Sequence, residues 1–264
     1  MNVGSLFAGI GGFDLGFERA GMHTAWQVEI DAKCRTVLAK HFPNAERFDD
    51  VRAADVLPPV DLLCGGDPCP VRSLARGDRP SKHPDLSGFF LSVAARLRPR
   101  WLVRENVPAS DARDFAAVLE LLGYGVVAFA LDSRDFTAQS RRRQFIVGCP
   151  SGESAGLARA LSDAADGHGF VASGSEEEAP IAACLTAHPS RMAAEDSYVY
   201  EPERGALRLL DTREAESLQG FPRGWTAGFS RSVRRRMLGN AVTVPVAEWI
   251  GRRILDFESE QIAA

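Results

Sequence analysis

Through the first 150 residues, short apolar runs that end in Gly, Pro or an acid alternate with stretches of helical spacing. The runs at 3–7, 24–28, 61–64, 101–103, 126–130 and 145–147 read as strands, with a further strand expected shortly before Asp50. Between them, 12–20, 32–41 and 115–122 place apolar residues three and four apart, which predicts helices. Strand and helix in alternation predict an α/β fold built on a doubly wound, mostly parallel sheet.

After residue 150 the pattern changes. From Ser151 to Gly205 the composition turns to Ala, Gly, Ser and Glu, and the weakly patterned stretch 152–178 reads as a loop or a poorly ordered segment. A basic helical stretch follows Pro222, and 245–257 reads as a helix with Pro in its first turn and apolar residues on one face. The expected division is a catalytic, cofactor-binding domain made of 1–150 with 239–264, and a small target-recognition lobe at 151–238. No internal repeat is visible.

Composition narrows this only modestly. The chain has 264 residues, 45% hydrophobic and 25% charged, enough for one large domain and a smaller lobe. No apolar run nears the roughly 20 residues of a membrane span, and no signal-peptide pattern opens the chain, so a cytoplasmic protein is expected. Five cysteines, odd in number and without a C-x-x-C pair, predict reduced thiols and neither a disulfide framework nor a metal site. The net charge of −4 argues mildly against a nucleic-acid partner, yet Arg141, Arg142 and Arg143 cluster, as do Arg231, Arg234, Arg235 and Arg236. Each cluster alone fits a solvated basic face as well as a phosphate track.

The residues that carry chemistry fall at predicted strand ends. The glycines of Phe7-Ala8-Gly9-Ile10-Gly11-Gly12-Phe13 follow a strand and open a helix, where backbone can approach a bound cofactor, although such a turn is often only a tight turn. Glu29 ends the second strand, where an acid can bind ribose hydroxyls; Asp50 could accept from an adenine amino group; either also fits an exposed loop carboxylate. The strand at 61–64 runs into Gly65-Gly66-Asp67-Pro68-Cys69-Pro70-Val71-Arg72-Ser73, a loop that exposes the Cys69 thiol. A thiolate there is useful if cations lower its pKa, and Arg72 is a candidate; a purely structural cysteine is the alternative. Glu105 closes another strand near the same sheet edge and, if burial keeps it protonated, can donate to a ring nitrogen.

The order of these segments resembles the C5-cytosine DNA methyltransferases, a likeness spanning nearly all of the chain except 151–205. The 7–13 segment is similar to the family's cofactor loop, Pro68-Cys69 to its nucleophile loop, Glu105-Asn106-Val107 to its glutamate motif and Gln139-Ser140-Arg141-Arg142-Arg143 to its Q-x-R-x-R motif. Leu218-Gln219-Gly220-Phe221-Pro222 and Gly239-Asn240-Ala241-Val242 resemble its last two motifs. The resemblance implies a Rossmann-like methyltransferase that uses S-adenosylmethionine and flips its target base out of double-stranded DNA. By the same resemblance Cys69 attacks carbon 6 of cytosine, Glu105 supports protonation at N3, and Asn106 orients the loop. It also sets Arg141 and Arg143 near the flipped base and its phosphate, with Arg142, Arg72 and Ser73 toward nucleic acid. Phe7, Gly9, Gly11, Glu29, Ile30, Asp50, Asn240 and Val242 line the implied cofactor site, with Ile30 packed on adenine.

Some positions depart from the family's pattern. The family commonly has Asp where Ser5 stands, and Pro-Pro-Cys-Gln-x-Phe-Ser where this chain has 67–73. Asp67 would raise the Cys69 pKa by repulsion while Arg72 offsets it. The recognition segment of about 55 residues, Ser151 to Gly205, leaves room for a target of about two to four base pairs, as in a compact phage or orphan enzyme acting as a monomer. Zinc deaminases are excluded by the missing H-x-E and P-C-x-x-C. A tRNA-methylating branch of the same family and an inactive binding module remain as alternatives; the first lacks its usual Cys-Phe-Thr signature here.

Overall fold

A computed structural model describes residues 1–53, 56–68, 86–107, 112–162, 182, 184–185, 198–201 and 203–263. The strands are β1 (Asn2–Leu6), β2 (His23–Val28), β3 (Glu46–Phe48), β4 (Leu62–Gly65), β5 (Trp101–Asn106), β6 (Tyr124–Asp132), β7 (Arg142–Pro150), β8 (Tyr198–Glu201) and β9 (Ala206–Leu209). The helices are α1 (Gly12–Ala20), α2 (Ala32–His41), α3 (Ser87–Leu97), α4 (Ala112–Leu121), α5 (Ser154–Ser162), α6 (Thr212–Leu218), α7 (Arg231–Asn240) and α8 (Val244–Ala263).

Seven strands form one sheet in the order β3-β2-β1-β4-β5-β7-β6, and β8 pairs with β9 in a separate hairpin. All neighbours in the large sheet run parallel except β7, which is antiparallel to both β5 and β6. A β6-to-β7 return needs only a short connection, whereas parallel pairs need crossovers, here helical. The chain winds outward from β1 in one direction and from β4 in the other. The crevice at the carboxyl ends of β1 and β4 is therefore the topological switch point, where open α/β sheets bind ligands.

Alternation along the strands divides the core between the two sheet faces. Leu62, Cys64, Trp101, Val103, Phe145 and Val147 face α1, α5 and α8, while Leu63, Leu102 and Ile146 face α3 and α4. Trp26 and Trp101 are fully buried. Burying a large apolar side chain contributes roughly 1.5–3 kcal/mol, so these faces dominate the fold's stability. Helices α1 and α8 cross closely because a Cβ at Gly16 would stand only 2.5 Å from Ala247 Cβ.

Residues 154–162, read from composition as loop, form α5, whose Leu157 and Leu161 join the core with Phe257. Ala215, Phe221, Trp225 and Leu238 pack on Val37, Leu38 and Phe42 of and beside α2. Among the described residues, no helix is long and apolar enough to cross a membrane.

Candidate active site

At the switch point the chain leaves β1 through a strained turn. Phe7 adopts φ 53, a left-handed conformation that a bulky residue rarely takes, and Gly9 and Gly11 follow with φ 57 and 86. Gly11 caps α1, so the helix opens toward the crevice. Glu29 clasps the loop from the next strand: Gly9 N donates to Glu29 Oε2 at 2.7 Å and Asp31 N to Oε1 at 2.8 Å. Burial pushes the Glu29 carboxyl up, and these two backbone donors oppose the shift. Beside it Ile30 is 65% exposed, an apolar side chain open to solvent.

The C-terminal part closes the same loop. A Cβ on Gly12 would lie 2.5 Å from the Val242 carbonyl oxygen, so 240–242 rests on the start of α1, and Trp225 Nε1 donates to Ile10 O at 2.9 Å. Asn240 is exposed at the end of α7. Asp50 is otherwise engaged: Arg52 donates to it from its backbone and, in a two-pronged pair, from its guanidinium, which holds the carboxyl below its ordinary value. An adenine amino group would have to share Asp50 with that arginine.

The second part of the site lies at the ends of β4 and β5. Their parallel register pairs Gly65 with Arg104, which runs the chain after β4 alongside Glu105; a Cβ on Gly66 would be 2.9 Å from Glu105 Oε2. Cys69, Arg72 and Ser73 lie outside the described residues. Glu105 is buried, and Arg143 Nε reaches its Oε1 at 3.1 Å. Burial raises the Glu105 pKa, against the pull of Arg143 and Arg141. Glu105, Arg141, Arg143, Phe145, Val242 and Thr243 line one small cavity.

Arg141 lines that cavity and is at the same time tied down by the fold. Its guanidinium is buried and donates to the carbonyls of Leu185, Gly239 and Ala241, each at 3.0 Å, which ties β7 to the turn after α7. Only its Nε lacks a partner among these contacts. Arg142 is exposed. Gln139 fixes the same neighbourhood by accepting from Leu185 N at 2.9 Å.

Asp14 and Glu216 escaped sequence reasoning, which named Asp67 but not its partner. Asp67 is buried in a bidentate pair with Arg104, so the partner of this acid in the fold is Arg104. Asp14, wholly buried, accepts from Gln27 Nε2 at 2.9 Å and Ser5 Oγ at 3.2 Å; Ser5 thus serves a carboxylate placed one helix turn into α1. Buried Glu216 binds Thr226 and Arg234. Cys34, Cys64 and Cys149 are buried and burial pushes their thiols up, as suits packing residues, while half-exposed Cys184 accepts from Arg141 at 3.4 Å.

A doubly wound sheet with a strained glycine loop at its switch point and a buried strand-end carboxylate near it is a Rossmann-like architecture with a ligand crevice. The family profile described as C-5 cytosine-specific DNA methylase matches residues 1–165 and 165–256. The chain belongs to that family, whose members are cytosine-5 methyltransferases. It is 29% identical to the type II methyltransferase M2.BsuMI of Bacillus subtilis over 99% of this chain and 79% of that protein. Against M.NgoBI of Neisseria gonorrhoeae the identity is 30% over 92% of this chain and 89% of the relative. In fold it is similar to the Dnmt2 methyltransferase of S. pombe, with a TM-score of 0.69 at 16% identity over 97% of this chain and 99% of that one.

Proposed function

We propose that this protein methylates carbon 5 of cytosine in double-stranded DNA at a short target sequence, with Cys69 as nucleophile and S-adenosylmethionine as methyl donor. The observation that supports it most directly is the buried Glu105 beside the segment leading from β4 to Cys69, at the same crevice as the glycine loop.

The residues at the switch point fit the cofactor. Nothing lies within 4 Å of where a Cβ on Gly9 would be, Glu29 offers a carboxylate to ribose hydroxyls, and exposed Ile30 offers an apolar face to adenine. When bound, S-adenosylmethionine supplies a methyl group on a sulfonium, an electrophile for carbon 5.

Cytosine carbon 5 is a poor nucleophile, and the protein's task is to change that. The Cys69 thiolate forms a bond to carbon 6 while the Glu105 proton is held at N3, so the electron pair moves toward carbon 5. After methylation, loss of the carbon-5 proton breaks the sulfur–carbon 6 bond and restores both ring and thiolate. Burial raises the Glu105 pKa and so favours the protonated carboxyl, and Arg143 orients it. Because Glu105 is buried at the end of β5, the base must leave the helix stack to reach it, at a cost of a few kcal/mol. A recognition segment of about 55 residues, Ser151 to Gly205, supports a short target.

Incubation with labelled S-adenosylmethionine and unmethylated genomic DNA, followed by mapping of modified cytosines, tests this. Label at carbon 5 within a short motif, lost in C69A, is expected. Transfer into tRNA in place of duplex DNA would change the substrate, and no transfer at all would overturn the reading.

A further inference from the structure

Asp67 stands two residues before Cys69, and both of its carboxylate oxygens are held by the Arg104 guanidinium, one of them by Nη2 at 2.8 Å. Asn106 Nδ2 reaches the same carboxylate at 3.2 Å. Arg104 and Asn106 are two apart on β5, so they project from one face of the sheet, and Glu105 between them projects from the other. The packing bears this out: the Arg104 guanidinium lies 4.0 Å above the Phe115 ring, among the side chains that face α3 and α4, while Glu105 lines the cavity with Phe145 and Val246.

Both members of the pair are almost wholly shielded from water, at 3% and 2% exposure of their side chains. A buried ion pair adds little net stability compared with apolar side chains of the same volume, so stability alone is a weak reason for one here. Its geometry is specific, however: a bidentate fork fixes both distance and orientation, which a point charge does not. The point it fixes is where the chain leaves β4 for the nucleophile, and the strand that holds it also carries Glu105.

We propose that Asp67 and Arg104 are a positioning pair that pins the chain, where it leaves β4 toward Cys69, to the back of the Glu105 strand. This rests on the assignment of Cys69 as nucleophile made above. Asn106 is the neutral third member of the clamp, and Phe115 supports the guanidinium from beneath.

The test compares wild type, D67N, R104Q, R104K and D67N/R104Q, all in the full chain. R104K keeps the charge and loses the fork; the double variant removes both charges and guards against a single variant that fails to fold with an unpaired buried ion. Two rates are read: covalent trapping on duplex DNA containing 5-fluorocytosine, and alkylation of Cys69 by iodoacetamide without DNA, followed by mass spectrometry. Misplacing a reacting group by about an ångström can cost about a hundredfold, so R104K should trap at least about tenfold more slowly, with S-adenosylhomocysteine affinity within about twofold of wild type. The loss in the double variant should fall well short of the product of the single losses, and Cys69 alkylation should change in every variant. Unchanged trapping and alkylation in R104K and the double variant, or losses that simply multiply, would overturn the pairing. If wild type fails to trap while alkylation still responds to the variants, the pair stands and the nucleophile assignment falls.

Discussion

Arg143 Nε lies 3.1 Å from Glu105 Oε1, across the antiparallel pair of β7 and β5. Two opposed influences meet at this carboxyl. Burial favours its proton, and the neighbouring arginines favour its loss, with burial prevailing.

If Glu105 acts as the proton source at N3, methyl transfer must fall as pH rises through its raised pKa. Removing the Arg143 cation relieves the pull on that proton, so R143Q should move this limb of the pH profile to higher pH, whatever it does to the maximum rate. E105Q should lower the single-turnover rate by about 10²–10⁴-fold and leave cofactor affinity nearly unchanged. Single-turnover rates across pH check both; a limb that stays in place in R143Q would remove Glu105 from the proton's path.

A second buried carboxyl gives a prediction about stability. Burial raises the Asp14 pKa from 3.8 to about 6, against hydrogen bonds from Gln27 and Ser5. Below 3.8 folded and unfolded chains both hold this proton; between the two values only the folded chain does; above about 6 the folded chain carries an ionised, buried acid. Asp14 therefore withdraws stability as pH rises through that window, by about 2–3 kcal/mol in total. Asn at this position can still accept from Gln27 and donate to Ser5. D14N should be more stable than wild type at pH 8 and lose that advantage toward pH 4, by denaturant unfolding. An equal difference at both pH values would rule out the titration.

What the sequence revealed depended on how local each signal was. Helices α1 and α2 were legible to the residue, because periodic apolar positions lie between Gly12 and Ala20 and between Asp31 and His41. Glu105 was legible as a strand end. Helix α5 was missed because its Ala and Gly content outweighed Leu157 and Leu161, four apart, which were the available signal. The Asp67–Arg104 pair spans 37 residues and exists only because β4 and β5 are adjacent and in register, which no local pattern states. The Q-x-R-x-R motif singled out Arg141 and Arg143 and did not tell where their guanidinium groups point.

Glu216 offers a simpler test of architecture. Its carboxylate accepts from Thr226 N at 2.8 Å and from Arg234 at 2.9 Å, and also from Gly224 N and the Thr226 hydroxyl. Burial pushes its pKa up, yet these donors outweigh burial and hold it below the ordinary value. E216A would strand several donors and the Arg234 charge at once, and should destabilise the fold by about 3–5 kcal/mol. Trp225, between these donors, packs beneath the cofactor loop, so a drop in thermal midpoint should bring weaker S-adenosylhomocysteine binding with it. A variant of wild-type stability would show that the network is dispensable.

Arg141 separates two accounts of the same motif. Were it a phosphate contact, as the sequence suggested, its loss would reduce the salt dependence of DNA binding and leave the cofactor untouched. Instead its two terminal nitrogens hold the Leu185, Gly239 and Ala241 carbonyls, and the residue that follows, Val242, rests its backbone on Gly12 at the head of the cofactor loop. Lysine has one nitrogen and cannot span those carbonyls. Charge-assisted hydrogen bonds of this kind contribute about 1.5–3 kcal/mol, so R141K should weaken S-adenosylhomocysteine binding by about tenfold or more, measured by calorimetry without DNA. The slope of DNA affinity against salt should hardly move, because a guanidinium already committed to three carbonyls has little left for a phosphate. Unchanged cofactor binding with a shallower salt slope would return Arg141 to the DNA surface.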